Sequence, residues 1–235
     1  MKKLLLVLLF VPLINSCSKS DDDSITADEL KTYQVDLISY FKSIALGFEF
    51  GGVSEITRRW ETGLNIFIGG SPSDELLSEL KRIKSEINDL TSTGFAISIV
   101  NDSLTSNYYI FFGNGQEYAN IFPSETNYVE NNWGLFGVFW NGLNQINYGH
   151  MYVDIVRANP QEQKHLLREE FTQSLGLAKD SYLYNNSIFQ SEWTLTSEYS
   201  QIDRDLIRLL YHSEMEIGLN SIQVEQRLTN ILLKE

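Results

Sequence analysis

The stretch "REEFTQSLGLAKD", residues 168–180, decides how the rest of this 235-residue chain is read. Asn159-Pro160 ends the strand before it, and a long helix begins there. From there the polar-apolar rhythm runs unbroken to Gly176, which ends the helix. Near its end the helix carries two adjacent carboxylates, Glu169 and Glu170, and an amide, Gln173. Glu169 and Gln173 lie four residues apart and therefore share one face. Lys179 and Asp180 follow the terminating glycine. The two glutamates are either a charged helix terminus facing solvent or a salt bridge, or they contact a ligand.

Upstream, four aromatic and β-branched runs read as strands: "FAISIV", "NYYIFFG", "GLFGVFW" and "INYGHMYVDIV". Before them, "LNIFI" (64–68) alternates as a strand does. "SPSDELLSELKRIKSEINDL" places Leu76, Leu80, Ile83, Ile87 and Leu90 at helical spacing. An N-terminal helix is expected from the capping-box spacing Thr26-Ala27-Asp28-Glu29, with Leu37, Ile38, Phe41 and Ile44 on its apolar side. Downstream of Gly176 an irregular segment runs to about Ser200. Two helices, "DRDLIRLLYH" and "SIQVEQRLTNILL", close the chain. The order predicts an α+β fold: a twisted mixed sheet with helices packed on it and a mainly helical C-terminal part. A cleft between the two parts is a natural binding place.

The first residues read as an address rather than as fold. "MKKLLLVLLFVPLINSC" has two lysines, an apolar run from Leu4 to Ile14, and then Cys17. This is the pattern of a secretory signal. Ile14-Asn15-Ser16-Cys17 resembles a bacterial lipobox, which implies cleavage of residues 1–16 and acylation of Cys17, the only cysteine. Residues 17–25, acidic and polar, read as a flexible tether, and residues 26–235 as one domain. The tether resembles the acidic tag of surface-exposed outer-membrane lipoproteins of Gram-negative bacteria. The expected membrane partner is thus reached through the lipid anchor. A chain with 31 acidic and 18 basic residues, net −13, is unsuited to nucleic acid.

The spacing of the opening stretch resembles the metzincin helix, His-Glu-x-x-His-x-x-Gly-x-x-His, in which three histidines hold zinc and the glutamate activates its water. Laid on that pattern, Glu169, Gln173 and Lys179 stand at the ligand positions, Glu170 at the catalytic one, and Gly176 at the turn. "NSIF" falls where metzincins carry a methionine turn, with Phe189 in the methionine's place. The Glu-Glu-x-x-Gln-x-Leu-Gly-Leu helix, Asp180, the "SIF" turn, the "LLY" and "GLN" ending, "YFKSIALGFEF" and "RRWETGLNIFI" together resemble one bacterial family of unknown function, many of whose members are lipoproteins. The resemblance implies a zincin-like fold. It brings no established activity.

The residue types argue against zinc. Zinc prefers imidazole and thiolate. Glu169 is a possible carboxylate ligand, Gln173 a weak one, and protonated Lys179 repels a cation. No metal or other cofactor is therefore expected. Glu170 remains the one candidate catalytic base, and with no metal-polarised water beside it a general base contributes only about 10²–10⁴-fold. One expectation is that the Lys179 ammonium stands in for the metal and pairs with Glu169 or Glu170. His165, one turn before Glu169, forms either a two-ligand pair with it or a surface contact. His150 and Tyr152, alternating with Tyr148 and Asp154 on one strand face, line either a groove or an exposed sheet face. Trp133 and Trp140 form either a sugar- or peptide-binding platform or core. The combined reading is a non-catalytic zincin-like lipoprotein whose cleft takes a peptide or glycan or is structural. The alternative is an atypical or metal-dependent hydrolase that uses Glu170.

Overall fold

The computed structural model describes residues 30–49 and 52–235. The proposed signal, Cys17, the tether and the 26–29 capping box lie outside the described residues. The N-terminal helix α1 spans Thr32–Ala45 and buries Leu37, Ile38, Tyr40, Phe41 and Ile44.

Next come β1 (Arg59–Trp60), β2 (Leu64–Gly70), α2 (Asp74–Leu90), β3 (Ile97–Val100) and β4 (Tyr108–Gly113). The Ser73 hydroxyl caps α2 by accepting from the Leu76 amide at 3.2 Å. The predicted apolar row Leu76, Leu80, Ile83 and Ile87 is fully buried. This helix links two parallel neighbours, β2 and β3, as a parallel pair requires a long crossover.

The strand-rich middle contains one element that the sequence reading left out. Helix α3, Gly115–Ile121, follows β4 directly, and an Asn114–Glu117 capping box opens it. Strands β5 (Gly134–Trp140) and β6 (Gln145–Asp154) then form an antiparallel hairpin. The sheet order is β1-β6-β4-β2-β3, with β5 paired to β6. All pairings but that of β5 are parallel. The fold is thus α+β, with a mixed, mainly parallel sheet and six α-helices among the described residues.

The sheet has two unequal faces. On one lies the large core, which gathers α1, α2, α4 (Pro160–Gln173), α5 (Gln201–Leu210) and α6 (Ser221–Leu232). On the other, a small aromatic core of Phe111, Tyr118, Val129, Leu135 and Tyr152 lies beneath α3. His150 and Tyr152 belong to this second face. His150 is 1 % exposed, with the Phe122 ring stacked on it at 3.9 Å. Its Nδ1 and the Tyr118 hydroxyl share a hydrogen bond of 2.5 Å, and burial lowers its pKa to about 4. The predicted alternation of β6 holds, but α3 covers that face, so neither residue reaches a groove.

The end of α4 is fixed from several sides. Trp60 Nε1 donates to Ser174 O at 3.0 Å, and the Tyr211 hydroxyl donates to Leu175 O at 3.0 Å. Carbonyls that a helix end leaves unpaired are thereby satisfied. Gly176 has φ +112°, and a Cβ there would stand 2.0 Å from Arg58 O. Only glycine lets the chain turn so close to β1.

Candidate functional site

Helix α4 is anchored on one side by charge. Arg168 is fully buried, donating to Glu79 Oε1 at 2.8 Å and to Glu86 Oε2 at 2.6 Å, and its guanidinium lies 4.3 Å from the Tyr199 ring centroid. This clamp ties α4 to α2. The residues that follow it, Glu169 and Glu170, face the opposite way and enter a cleft of about 880 Å³.

The cleft's walls come from four places. Helix α4 supplies His165, Glu169, Glu170 and Gln173; strand β5 supplies Gly134, Phe136 and Val138. The chain beyond Gly176 supplies Asp180 and Trp193, and the end of the α1 segment supplies Phe48 and Glu49. Aromatic pairs stand among them. Trp133 meets Trp193 edge-on at 5.9 Å, and Phe48 stacks on Trp140 at 5.2 Å. Trp133 and Trp140 therefore line the cleft rather than fill the core.

Strand β5 is the cleft's edge strand. It pairs only with β6 among the described residues. The Asp154 amide donates to Trp133 O at 2.7 Å, which marks that pair as hydrogen-bonded. In an antiparallel ladder such pairs alternate. Leu135, Gly137 and Phe139 therefore bond to β6, and the backbone groups of Gly134, Phe136 and Val138 point outward. In the sequence the strand carrying His150 lines either a groove or an exposed sheet face. The structure assigns the cleft edge to the preceding strand.

The carboxylates crowd one another. Glu170 lies against Gly134, where an added Cβ would stand 2.8 Å from its Oε1. Its carboxyl makes no hydrogen bond or ion pair with any described residue. Burial, and then the charges of Glu169, Asp180 and Glu49, hold its pKa well above the ordinary value. Asp180 is pushed up to about 7 by burial and by Glu169 and Glu49, although Gln173 donates to its Oδ1 at 2.5 Å. Glu49 is raised as well, first by burial and then by Glu169.

His165 joins this group as a buried ion-pair partner, not as a surface contact. Its Nδ1 lies 2.7 Å from Thr196 O, which as a carbonyl only accepts, so the proton sits on Nδ1. Its Nε2 lies 3.3 Å from Glu169 Oε2. Burial opposes the charged ring, but the Glu169 bond and charge and the Thr196 carbonyl outweigh it and raise the pKa.

Lys179 departs from its expected role. Its ammonium pairs with Glu55 at 3.0 Å and is within ion-pair distance of neither Glu169 nor Glu170. The flexible four-carbon stem reaches an exposed acid on the far side of the turn. Phe189 is buried in the large core. The adjacent turn is held by Asp203, which accepts from the Ser187 hydroxyl at 2.5 Å and the Ile188 amide at 3.2 Å. Among the described residues no group of three or more His, Cys, Asp or Glu side chains is arranged to hold a metal ion.

The profile of a protein family of unknown function, DUF2927, matches residues 34–230. The chain belongs to the DUF2927 family. That match spans α1 to α6, so the DUF2927 region contains every wall of the cleft. No curated protein sequence matches. Among solved structures, one titled "Structure of myroilysin" is similar, with 12 % identity and a TM-score of 0.30 over 74 % of this chain and 95 % of that one. A likeness of that size leaves the DUF2927 site to be argued from its own residues.

Glu49, Phe48 and Trp193 were absent from the sequence-derived site. Glu49 sits in "GFEFGG", which marks only a helix end. It reaches the cleft because its amide donates to Ala178 O at 3.2 Å, a pairing between distant parts of the chain.

Proposed function

We propose that this chain is a non-catalytic, zincin-like cell-envelope lipoprotein whose cleft binds an extended peptide. The supporting observation is the open edge of β5: outward backbone groups at Gly134, Phe136 and Val138 line a cleft of about 880 Å³. A strand added there gains main-chain hydrogen bonds, and the aromatic pairs supply side-chain pockets. Catalysis lacks support in the side chains. The positions that hold zinc in the resembling motif carry Glu169, Gln173 and Lys179, and Lys179 is turned toward Glu55. Without a polarised water, Glu170 has nothing to activate. The lipid at Cys17 keeps the cleft at the outer membrane, facing outward.

The test uses Val138→Pro. Proline removes an outward N–H and leaves the ladder to β6 intact, and an edge strand tolerates it. Binding of a random decapeptide library is expected for the full chain and is lost in the variant, while circular dichroism is unchanged. Library binding that survives Val138→Pro, or peptide cleavage abolished by Glu170→Gln, overturns the reading.

A further inference from the structure

We infer that the bound peptide presents an arginine or lysine side chain to Glu170 and Asp180. This inference rests on the peptide-binding reading and names the residue class that the site selects.

Charge is the first argument. The cleft lining contains six acids, Glu49, Glu162, Glu169, Glu170, Asp180 and Glu192, and no lysine or arginine. Its one basic side chain, His165, is already committed to Glu169. The nearest sequence candidate for a counter-charge, Lys179, pairs outside with Glu55. An extended ligand lying along β5 passes a group of acids of which only Glu169 has a basic partner within the lining.

Hydrogen bonding is the second, independent argument. The Glu170 carboxyl borders the cleft, partly exposed, and meets no donor from the described residues. A carboxyl that the fold leaves without a donor is open to one from a ligand. Backbone amides from a ligand strand would engage β5, not the carboxyl beside it. A guanidinium or ammonium projecting from that strand supplies the missing donors and the missing charge together. Asp180 offers its Oδ2 to the same group, because Gln173 holds Oδ1.

The aromatic walls are the third. The Trp133–Trp193 pair stands beside the acids, with the Trp193 ring also 5.8 Å from His165. Trp193 is 57 % exposed, a large apolar face left open at the rim. Aromatic faces attract cations and cover the methylene stem of a long basic side chain.

The experiment compares three extended decapeptides that differ only at the central residue: arginine, its neutral isostere citrulline, and glutamate. Affinity for the full chain is measured by tryptophan fluorescence. The arginine peptide is expected to bind at least about tenfold more tightly than the citrulline peptide, and the glutamate peptide least. Glu170→Gln keeps the shape and removes the charge. It is expected to bring the arginine peptide down to the citrulline level and leave the citrulline peptide unchanged. Asp180→Asn provides a second variant with the same expectation. Equal binding of arginine and citrulline peptides overturns the charge inference and leaves the peptide reading standing. Binding of none of the three, with Val138→Pro also without effect on the library, overturns the peptide reading itself. Stoichiometric zinc or calcium binding that displaces the arginine peptide and is lost in Glu170→Gln overturns the inference in favour of a metal cation.

Discussion

The Gln173 side-chain amide donates to Asp180 Oδ1 at 2.5 Å, which joins the last turn of α4 to the chain that returns beyond Gly176. The bond fixes where Asp180 enters the cleft. It also places that carboxyl among Glu169, Glu170 and Glu49, in a lining that contains no lysine or arginine.

Stability is expected to fall as pH rises toward the alkaline side of neutral. Asp180 is at about 7 in the fold, against an ordinary 3.8. Glu170, Glu49 and His165 are also raised. For each, the folded state holds its proton at a pH where the unfolded state has released it. Their stabilising contribution is therefore complete below the unfolded pKa and is lost as pH rises through the folded one. Cleft water screens part of this effect. Asp180→Asn is expected to stabilise by about 1–2 kcal/mol at pH 8, or roughly 2–8 °C in Tm, and to have little effect at pH 4. Thermal melts across that range check it; an equal gain at both pH values contradicts the assignment.

Gly176→Ala is expected to destabilise by about 2–3 kcal/mol. The φ of +112° is unfavourable for alanine, and the new Cβ meets Arg58 O at 2.0 Å. Because this backbone turn sets the position of Asp180, the variant is also expected to weaken peptide binding. Urea unfolding measures the first effect and fluorescence titration the second.

Arg168→Ala is expected to cost about 3–5 kcal/mol, because Glu79 and Glu86 lose their buried partner. Combining Arg168→Met with Glu79→Gln is expected to recover part of that loss, since an uncompensated charge is removed. Chemical denaturation of the two variants gives the comparison. A mild Arg168→Ala phenotype would show that the clamp is solvated.

Local signals carried most of the fold. Asn159-Pro160 opened α4, Gly176 closed it, and the apolar row from Leu76 to Ile87 marked α2. Helix α3 escaped because seven residues with tyrosine and isoleucine offer two turns at most, too few for a helical period to stand out among strands. The Asn114–Glu117 capping box was its one available signal. In the candidate site, residues on α4 were legible because spacing along a helix fixes the shared face. The partners were not. Strand alternation correctly grouped His150 with Tyr152, but it cannot say which face of a sheet a later helix covers. For Lys179 the sequence specified a charge and a position, yet a long flexible stem chose between acids on two sides of the turn. Glu49 arrives from more than a hundred residues upstream, and nothing in its own neighbourhood points to the cleft.

An unpaired strand edge is an adhesive surface, and proteins that keep one must stop identical molecules from zipping together along it. Here the outward backbone of β5 forms one wall of an acid-lined cleft. Two copies approaching edge to edge would force their carboxylates against each other, so the charge that favours a basic guest also keeps the chains apart.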